Sequence, residues 1–537
     1  MNQMSSVRDS SRLAWLSEIA RSLAEQGNLT NLLESILQSA RQATNADGGT
    51  LYRATEDGRG LSFDLVQNES LGLQLGGSSG TPANFPIMPL YDASGGENRK
   101  SVVAYCALAR RSVRVDDAYA AEGFDFQGAR HFDAANNYRS QSFLTVPMIA
   151  HDDQLIGVLQ LINARDATGK TVRFTVDDQQ FIEALAAQAA IAIENKILVD
   201  RLEQLFLAFV NLINVAIDDK SPYTGGHCQR VPTLTMMLAD AASETTTGPL
   251  ASFSMTERDR QELLMAGLLH DCGKITTPVH VVDKSTKLET IFDRVELIST
   301  RLTALARETE VAALKAKLAG ENASDVDAKL KQQLEAIEDD RRFIAHVNIG
   351  GERMEDADIA RVKRIAAQSW TNAEGKTEPL LSDDECENLT VVYGTLTRSE
   401  RDVINHHIVA TIKMLEALPW PPHLRNVPEY AGGHHERMDG KGYPRGLTKD
   451  QMSIQARSMG IADIFEALTA ADRPYKSGKT LTESLQILGR MAQSGHVDPD
   501  LFDVFIRKKV FAAYAERYLD AHQIDVVDEA AIPGYTP

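Results

Sequence analysis

Residues 268–275 read LLHDCGKI. An imidazole and a carboxylate, His270 and Asp271, stand side by side at the end of an apolar stripe that includes Leu263, Leu264, Gly267 and Leu268, and Gly273 closes it. The stripe has helical spacing, so the pair sits where a helix gives way to a turn. A buried carboxylate without a partner costs roughly several kcal/mol, and a metal ion removes that cost. His binds one ion and Asp can bridge two. Two polar residues at a helix end are also common without any ligand, so this stretch has to be read together with others like it.

Four other stretches carry the same residue types. GGHHERMDGKGYPRGL (432–447) sets His434 and His435 next to Gly432 and Gly433, which permit close backbone approach, and its Gly440, Gly442 and Pro444 make a loop. MGIADIFEALTAADRPYK (459–476) places Asp463 among Ile461, Ile464, Phe465 and Leu468, where a carboxylate needs a cation, either Arg or a metal. SPYTGGHCQRV (221–231) puts His227 at a helix start, and ERDVINHHIVATIKML (400–415) puts His406 and His407 on a helix. The apolar face Ile404, Ile408, Ile412, Leu415 lies nearer His407. Each stretch alone also reads as a cap, a polar loop or a core-edge histidine. Nine of the 13 histidines fall between His227 and His435, and His280, His346 and His423 match no pattern.

Composition bounds the answer. The 537 residues predict three to four domain-sized units. With 43% hydrophobic and 24% charged residues, wholesale disorder is excluded. A net charge of −19 argues against nucleic-acid polymers and anionic membrane as partners. Four cysteines without a CxxC pair make neither a disulfide framework nor a zinc ribbon. The start has no apolar signal-like run and no stretch is long enough to span a membrane, so a cytoplasmic protein is expected.

The chain divides by pattern. An α+β region is expected over 14–178: a helix at 14–40, from Leu16, Ile19 and Leu23 on to Leu32, Leu33, Ile36 and Leu37, then strands at GTLYRA, LSFDLVQN and RSVRVDD. A hairpin is expected from SFLTVPMIA and QLIGVLQLINA around HDD. Residues 179–217 read as a connecting helix. Its seam, Phe181, Ala184, Gln188, Ile191, Asn195, Leu198, Leu202, Leu205, Phe209, Leu212, Ala216, has heptad steps and predicts a homodimer through 181–216. Gln188 and Asn195 weaken its first half, and a long helix packed on its own domain is the competing reading. An all-helical domain is expected over 218–515, interrupted at about 292–345 by a charged helical hairpin around GENAS. That hairpin reads equally as a spacer or a protein-contact element. The acidic tail after Gln523 is expected to fray.

Taken together, His270-Asp271, Gly273-Lys274, the HHE run, DGKGYPRG and ADIFEALTAADRPYK resemble the HD-GYP subgroup of the HD-domain metal-dependent phosphohydrolases, over about 205–280 and 395–515. The resemblance implies a helical bundle that hydrolyses cyclic di-GMP to pGpG, and often on to GMP. It implies two or three divalent metals, commonly iron or manganese, with magnesium among the alternatives. By motif the ligands are His227, His270, Asp271, His407, His434, His435 and Asp463, with Asp271 bridging. Asp271 and Lys274 are then the catalytic pair, and Lys274, Arg473 and Lys476 contact substrate beside the loop Gly442, Tyr443, Pro444. Some three-metal members carry a glutamate where this chain has Tyr223, so two ions are expected. Lys274 and His407 are unusually far apart, which leaves His406 as the alternative to His407, and the spacing from Asp463 to Arg473 is one residue longer than usual. Other readings are an idle cyclic-dinucleotide receptor or scaffold, partnered by a diguanylate cyclase domain at the GYP loop, and a hydrolase of another cyclic dinucleotide such as cyclic GMP-AMP.

The N-terminal region resembles a GAF domain over about 14–195, through DAANNYRSQSFLTVPMIAHDDQLIGVLQLINARD (133–166) and RFTVDDQ (173–179). The cyclic-nucleotide branch of that family carries NK, then F, three residues, DE. Here Asn163 is followed by Ala164, and Phe174 by Asp178 and Gln179. A GAF domain that only dimerises and one that binds an unknown small ligand, such as a cyclic nucleotide, are both open. Cys106, within VVAYCAL, reads as core.

Overall fold

A computed structural model describes residues 28–220, 226–351, 353–471 and 478–536. Residues 14–27, Tyr223, Arg473 and Lys476 lie outside the described residues. The chain forms two compact units that divide between Phe206 and Leu207.

The first unit is α+β. Helix α1 (Leu29–Thr44) starts where the Asn28 side chain accepts from Asn31 N at 2.8 Å, and buries Leu32, Leu33, Ile36 and Leu37. The strands follow in order: β1 (Ala46–Ala54), β2 (Gly60–Asn68), β3 (Leu73–Gly76), β4 (Met88–Pro89), β5 (Val113–Val115), β6 (Phe143–Ile149), β7 (Leu155–Arg165) and β8 (Thr171–Val172). They form one antiparallel sheet in the order β3-β2-β1-β7-β6-β5, with β4 on β2 and β8 on β7. β6 and β7 are joined by His151-Asp152-Asp153, with Asp153 at φ 58°. One face packs on α1 and on the start of α4 (Val176–Lys220), through Ile182, Leu185, Ala186 and Ala189. The other face carries α2 (Val102–Ala109) and α3 (Gln127–Asn136). VVAYCAL is therefore a helix, and Cys106 is wholly buried in its core, which pushes the thiol pKa up.

The signature-like residues of this unit are spent on the fold. Asn163 accepts from Gln141 N (2.7 Å) and Ser142 N (3.2 Å), and donates to Tyr138 Oη and Arg139 O, both at 2.8 Å. Phe174 is buried. Asp178 accepts from the Thr175 N–H (2.9 Å) and hydroxyl (2.7 Å) at the start of α4.

The second unit is helical: α5 (His227–Ser243), α6 (Glu257–Leu269), α7 (Val279–Val282), α8 (Val295–Leu318), α9 (Ala323–Asn348), α10 (Asp356–Ala366), α11 (Asp383–Leu389), α12 (Arg398–Glu416), α13 (Val427–Gly432), α14 (Ile454–Thr469), α15 (Leu481–Gln493), α16 (Pro499–Arg507) and α17 (Val510–Tyr518). Capping boxes start α6 (Thr256 with Asp259) and α12 (Thr397 with Glu400), each satisfying two end N–H groups. α5 packs on α6, α14, α16 and α17, while α13 joins α6, α12 and α14. Small residues set the crossings. A Cβ on Gly267 would lie 3.0 Å from Pro232 of α5, and one on Gly432 would lie 2.8 Å from Ile412 of α12.

The hairpin of α8 and α9 has a body of its own. Leu288, Ile298, Leu302, Ile344, Val362, Ile365, Leu380 and Leu389 share one core, which adds α10, α11 and the two-stranded β9 (Ser369–Thr371) and β10 (Thr377–Pro379) to the pair. A solvated spacer would leave such a core exposed. At its base, buried Lys284 donates to Asn388 Oδ1 (2.6 Å) and to both Glu400 oxygens (2.8 Å), and buried Lys287 donates to the Leu389 (3.1 Å) and Val391 (2.8 Å) carbonyls. The expected fraying of the tail is wrong. Ile532 and Tyr535 are buried, and Pro533 lies so close to α15 that a Cβ on Gly489 would be 2.2 Å from its carbonyl oxygen. Two apolar side chains outweigh the acidic composition.

Within this inserted body Glu385 is buried and takes Arg301 bidentately (2.6 and 3.1 Å) as well as Ser382 N (2.8 Å). Burial raises its pKa, but Arg301 and the Ser382 N–H outweigh burial and hold it below the usual glutamate range. The pair therefore stabilises above the unfolded pKa, and that stability is lost as pH falls through the folded one. Glu385→Gln should cost roughly 2 kcal/mol at neutral pH in urea unfolding, and the difference from wild type should shrink below about pH 4.

Candidate metal centre

Five helices and the turn after α6 bring seven side chains together. His270 caps α6, Asp271 opens the turn Cys272–Thr276, His227 begins α5, His407 lies mid-α12, Asp463 lies mid-α14, and His434 and His435 follow α13. The turn can sit against α12 because residue 273 is glycine. A Cβ there would lie 2.0 Å from His407 O, and the Gly273 N–H donates to Thr411 Oγ1 at 2.9 Å. His270 is wholly buried, and Asp271, His227, His407 and His434 nearly so.

The rings are held in one orientation. A carbonyl only accepts, so His270 Nδ1–H donates to Gly267 O (2.7 Å), His407 Nδ1–H to Ile404 O (2.5 Å) and His434 Nδ1–H to Ala431 O (2.6 Å). With Nδ1 spent on a carbonyl, it is Nε2 of each ring that points inward. His227 Nε2 lies 3.0 Å from Asp271 Oδ2, 3.2 Å from Asp463 Oδ1 and 3.3 Å from His270 Nε2. On the other side, His407 Nε2 lies 3.2 Å from His435 Nε2 and 3.3 Å from Asp271 Oδ1. Asp271 thus turns one oxygen to each of two donor groups: His227 and His270, with Asp463 beside them, and His407, His434 and His435.

This donor set fits divalent cations. Asp271 Oδ1 and His434 Nε2 are buried and have no hydrogen-bond partner. The Nε2 atoms of His270 and His407, whose outer N–H groups are spent on carbonyls, each face a second ring nitrogen at 3.2–3.3 Å, a spacing at which a cation could take both as ligands. The electrostatics agree. Burial would raise the pKa of Asp271, but Lys274, His270 and His227 hold it well below the usual range. Burial likewise opposes the charge on Asp463, yet the His227 bond and the nearby histidines keep it ionised. Burial, with His435 and His270 alongside, lowers the His434 pKa well below normal, and burial pushes His435 down to about 4. Neutral His434 and His435 and ionised Asp271 and Asp463 are in the forms that bind metal, and His227 would give up a proton to an ion.

His407 faces the group, whereas His406 is exposed. Lys274 Nζ donates to Asp271 Oδ2 at 2.5 Å. The Tyr443 ring stacks on His435, with centroids 4.9 Å apart at 19°. Gly442 has no room for a side chain, since a Cβ would lie 2.4 Å from Arg437 N, and Pro444 is exposed after a cis Tyr443–Pro444 bond. His280, His346 and His423 are exposed and outside the group.

Three residues that sequence reasoning passed over shape the site. Buried Glu436 accepts from Arg445 N (2.7 Å) and Leu447 N (2.9 Å), which folds the loop back over the histidines. Buried Glu466 accepts from His227 Nδ1–H (2.6 Å) and from Arg230 Nε (2.8 Å). Burial opposes the charge on Glu466, but these partners lower its pKa; burial also opposes charge on His227, whose bonds to Asp271, Asp463 and Glu466 raise its pKa well above normal. The available signal was spacing: Glu466 is three residues from Asp463 and Arg230 three from His227, so each shares a helix face with a motif residue. Asp271→Asn removes the charge common to both donor groups. The folded variant should lose divalent metal in elemental analysis of the dialysed protein, where wild type retains it.

A family model described as GAF domain matches residues 28–193, and two described as HD domain match 224–344 and 384–501 of the one helical unit. The chain is 46% identical over 81 residues to a 3'3'-cGAMP-specific phosphodiesterase of Vibrio cholerae, covering 15% of this chain and 19% of that one. It is 45% identical over 75 residues to a cyclic di-GMP phosphodiesterase of Pseudomonas aeruginosa, covering 14% and 17%. The matched stretches span under a fifth of either relative's own length. A solved GAF domain from an Acinetobacter phosphoenolpyruvate-protein phosphotransferase aligns at 17% identity and TM-score 0.27, over 36% of this chain and 98% of that one. The HD family is metal-dependent, and the chain carries a stretch that matches the GAF domain model followed by two that match HD domain models.

Proposed function

We propose that the helical unit is a divalent-metal-dependent phosphodiesterase that opens cyclic di-GMP to pGpG, with GMP as the product of a second cleavage, under control of the GAF domain. The placement of Asp271, one oxygen toward each group of ring nitrogens, carries this reading. Bound there, two ions, iron or manganese first, would activate water and neutralise phosphoryl oxygens. His227, His270, Asp271 and Asp463 would hold one, and His407, His434, His435 and Asp271 the other. Lys274, beside Asp271, supplies a positive charge for the phosphoryl oxygen on which charge grows. Arg473 and Lys476 are further substrate contacts by motif. Burial pushes the Tyr443 hydroxyl up to about 12, so it stays protonated and can donate to the substrate. The histidine backing Tyr443 keeps its ring at the mouth of the site.

The similarity to a 3'3'-cGAMP-specific relative favours one second reading, a preference for the mixed cyclic dinucleotide. Metal-loaded full chain should be given each dinucleotide in turn and the products separated by chromatography. Release of pGpG or GMP from cyclic di-GMP supports the first reading, and cleavage of cyclic GMP-AMP alone supports the second. Absence of any product with iron, manganese and magnesium would sink both. Lys274→Ala should lower turnover about a hundredfold while leaving the metal content unchanged.

Control by the GAF domain would run through α4 in a homodimer. After Phe181, every seam residue from Ala184 to Ala216 is exposed, and Leu198, Leu202, Leu205, Phe209 and Leu212 are 49–64% exposed. Val210, Asn214 and Ile217 are buried on another side of the same helix. A parallel second copy would cover the open stripe. Lys220, the last residue of α4, donates to the carbonyls of Lys274 (3.3 Å) and Ile275, so a shift of the helix would reach the turn that carries Lys274. Light scattering should give the mass of a dimer for the wild type and of a monomer for Leu205→Glu. A wild-type monomer would refute the dimer.

A further inference from the structure

The two donor groups differ in what stands behind them. His407 and His434 are backed by neutral carbonyls, those of Ile404 and Ala431. His270 is backed by Gly267 O, but His227 is backed by Glu466, a carboxylate with no solvent exposure. Glu466 is three residues from Asp463 on α14, yet its oxygens bond the outer Nδ1 of His227, not the inward Nε2, and the Arg230 guanidinium (2.8 Å from Nε, 2.7 Å from Nη2). It is therefore not a further ligand. A carboxylate on the outer N–H of an imidazole fixes the ring and raises the basicity of its inner nitrogen. The same group also has two carboxylates directed at its centre, since Asp463 Oδ1 lies 3.2 Å from His227 Nε2 and 4.0 Å from His270 Nε2. The group of His407, His434 and His435 shares only the second oxygen of Asp271.

From this asymmetry, and resting on the metal reading above, we infer that the two metal positions are inequivalent: the one at His227, His270 and Asp463 is the tight, first-filled position, and Glu466, held by Arg230, is the positioning residue that makes it so. The position at His407, His434 and His435 fills second and exchanges more readily. Charge and basicity both favour the first position; at close range, among the described residues, the second group has only the shared Asp271 oxygen.

Cobalt(II) added to the chelator-stripped full chain tests this, with binding followed by visible absorbance. Wild type should show two steps. Glu466→Gln should weaken the tight step by about ten- to a hundredfold and leave the weak one in place, so the weak step is the internal control against a merely structural effect. His434→Ala should remove the weak step and keep the tight one. Arg230→Gln, checked for folding by circular dichroism, should weaken the same tight step and stands in should Glu466→Gln fail to fold. Two equal steps in wild type, loss of the tight step in His434→Ala, or a tight step untouched by Glu466→Gln would each overturn this inference while leaving the metal centre standing. Wild type that takes up no cobalt would overturn the metal reading and this inference with it.

Discussion

The structure of the helical unit is organised around one buried carboxylate. Asp271 presents an oxygen to each of two groups of imidazole nitrogens, at 3.0 and 3.3 Å. Such distances need backbones that approach more closely than ordinary side chains permit. Glycines supply them: Gly273 lets the turn lie on α12 at His407, Gly267 lets α6 lie on Pro232, and Gly432 lets α13 lie on Ile412. Packing density, not the polar groups, fixes where the donors stand. Backbone carbonyls do the rest, because three of the histidines spend their outer N–H on a carbonyl three residues earlier and so aim the other nitrogen inward.

Much of this was legible in the sequence, and the reason is local. The strands of the GAF domain alternate or run apolar over short spans, so β1, β2, β6 and β7 could be placed from periodicity alone. His407 was separable from His406 because the stripe Ile404, Ile408, Ile412 marks the inward face, and the adjacent histidines and glycines of 432–435 sit together as read. The rest was not local. Glu466 looks like any acidic residue of a helix until α5 brings His227 and Arg230 against it. Glu436 is tied to N–H groups nine and eleven residues away, so no spacing rule points to it. VVAYCAL is nearly all apolar, so its periodicity assigns no element, and only the tertiary fold shows it as a helix on the sheet.

The inserted body shows the same limit from the other direction. Its charge pattern correctly marks two long helices, but a charged surface says nothing about what they lean on. The core that joins α8 and α9 to α10 and α11 is assembled from residues up to about a hundred positions apart, between Leu288 and Leu389. The lysines at its base, Lys284 and Lys287, sit just outside an apolar cluster and satisfy carbonyls and carboxylates of the segment that returns to α12. The insert is thus fastened at both of its ends, not draped over the surface. In the GAF domain the reverse holds. Asn163 and Asp178 look like a ligand signature in sequence, and their bonding capacity goes to the backbone around 138–142 and to the start of α4.

The acidic balance of the chain bears on how an anionic substrate would reach such a site. With a net charge of −19, the bulk surface repels a phosphodiester. At the centre itself, Asp271 and Asp463 face Lys274, and Glu466 is cancelled by Arg230, so with His227 neutral, as metal binding requires, the side chains carry a single net negative charge apart from the ions. Two divalent ions would reverse that sign and leave a local excess of three positive charges inside a buried pocket, where the field is least screened. On the proposed reading, loading would then govern attraction of substrate as well as its cleavage. It follows that filling only the position at His227 and His270 would bring the centre to a single positive charge, enough to cancel the repulsion but too little to draw in a doubly charged ring. The second ion, held by three histidines and the shared carboxylate Asp271, would be the one that turns the pocket into an anion site.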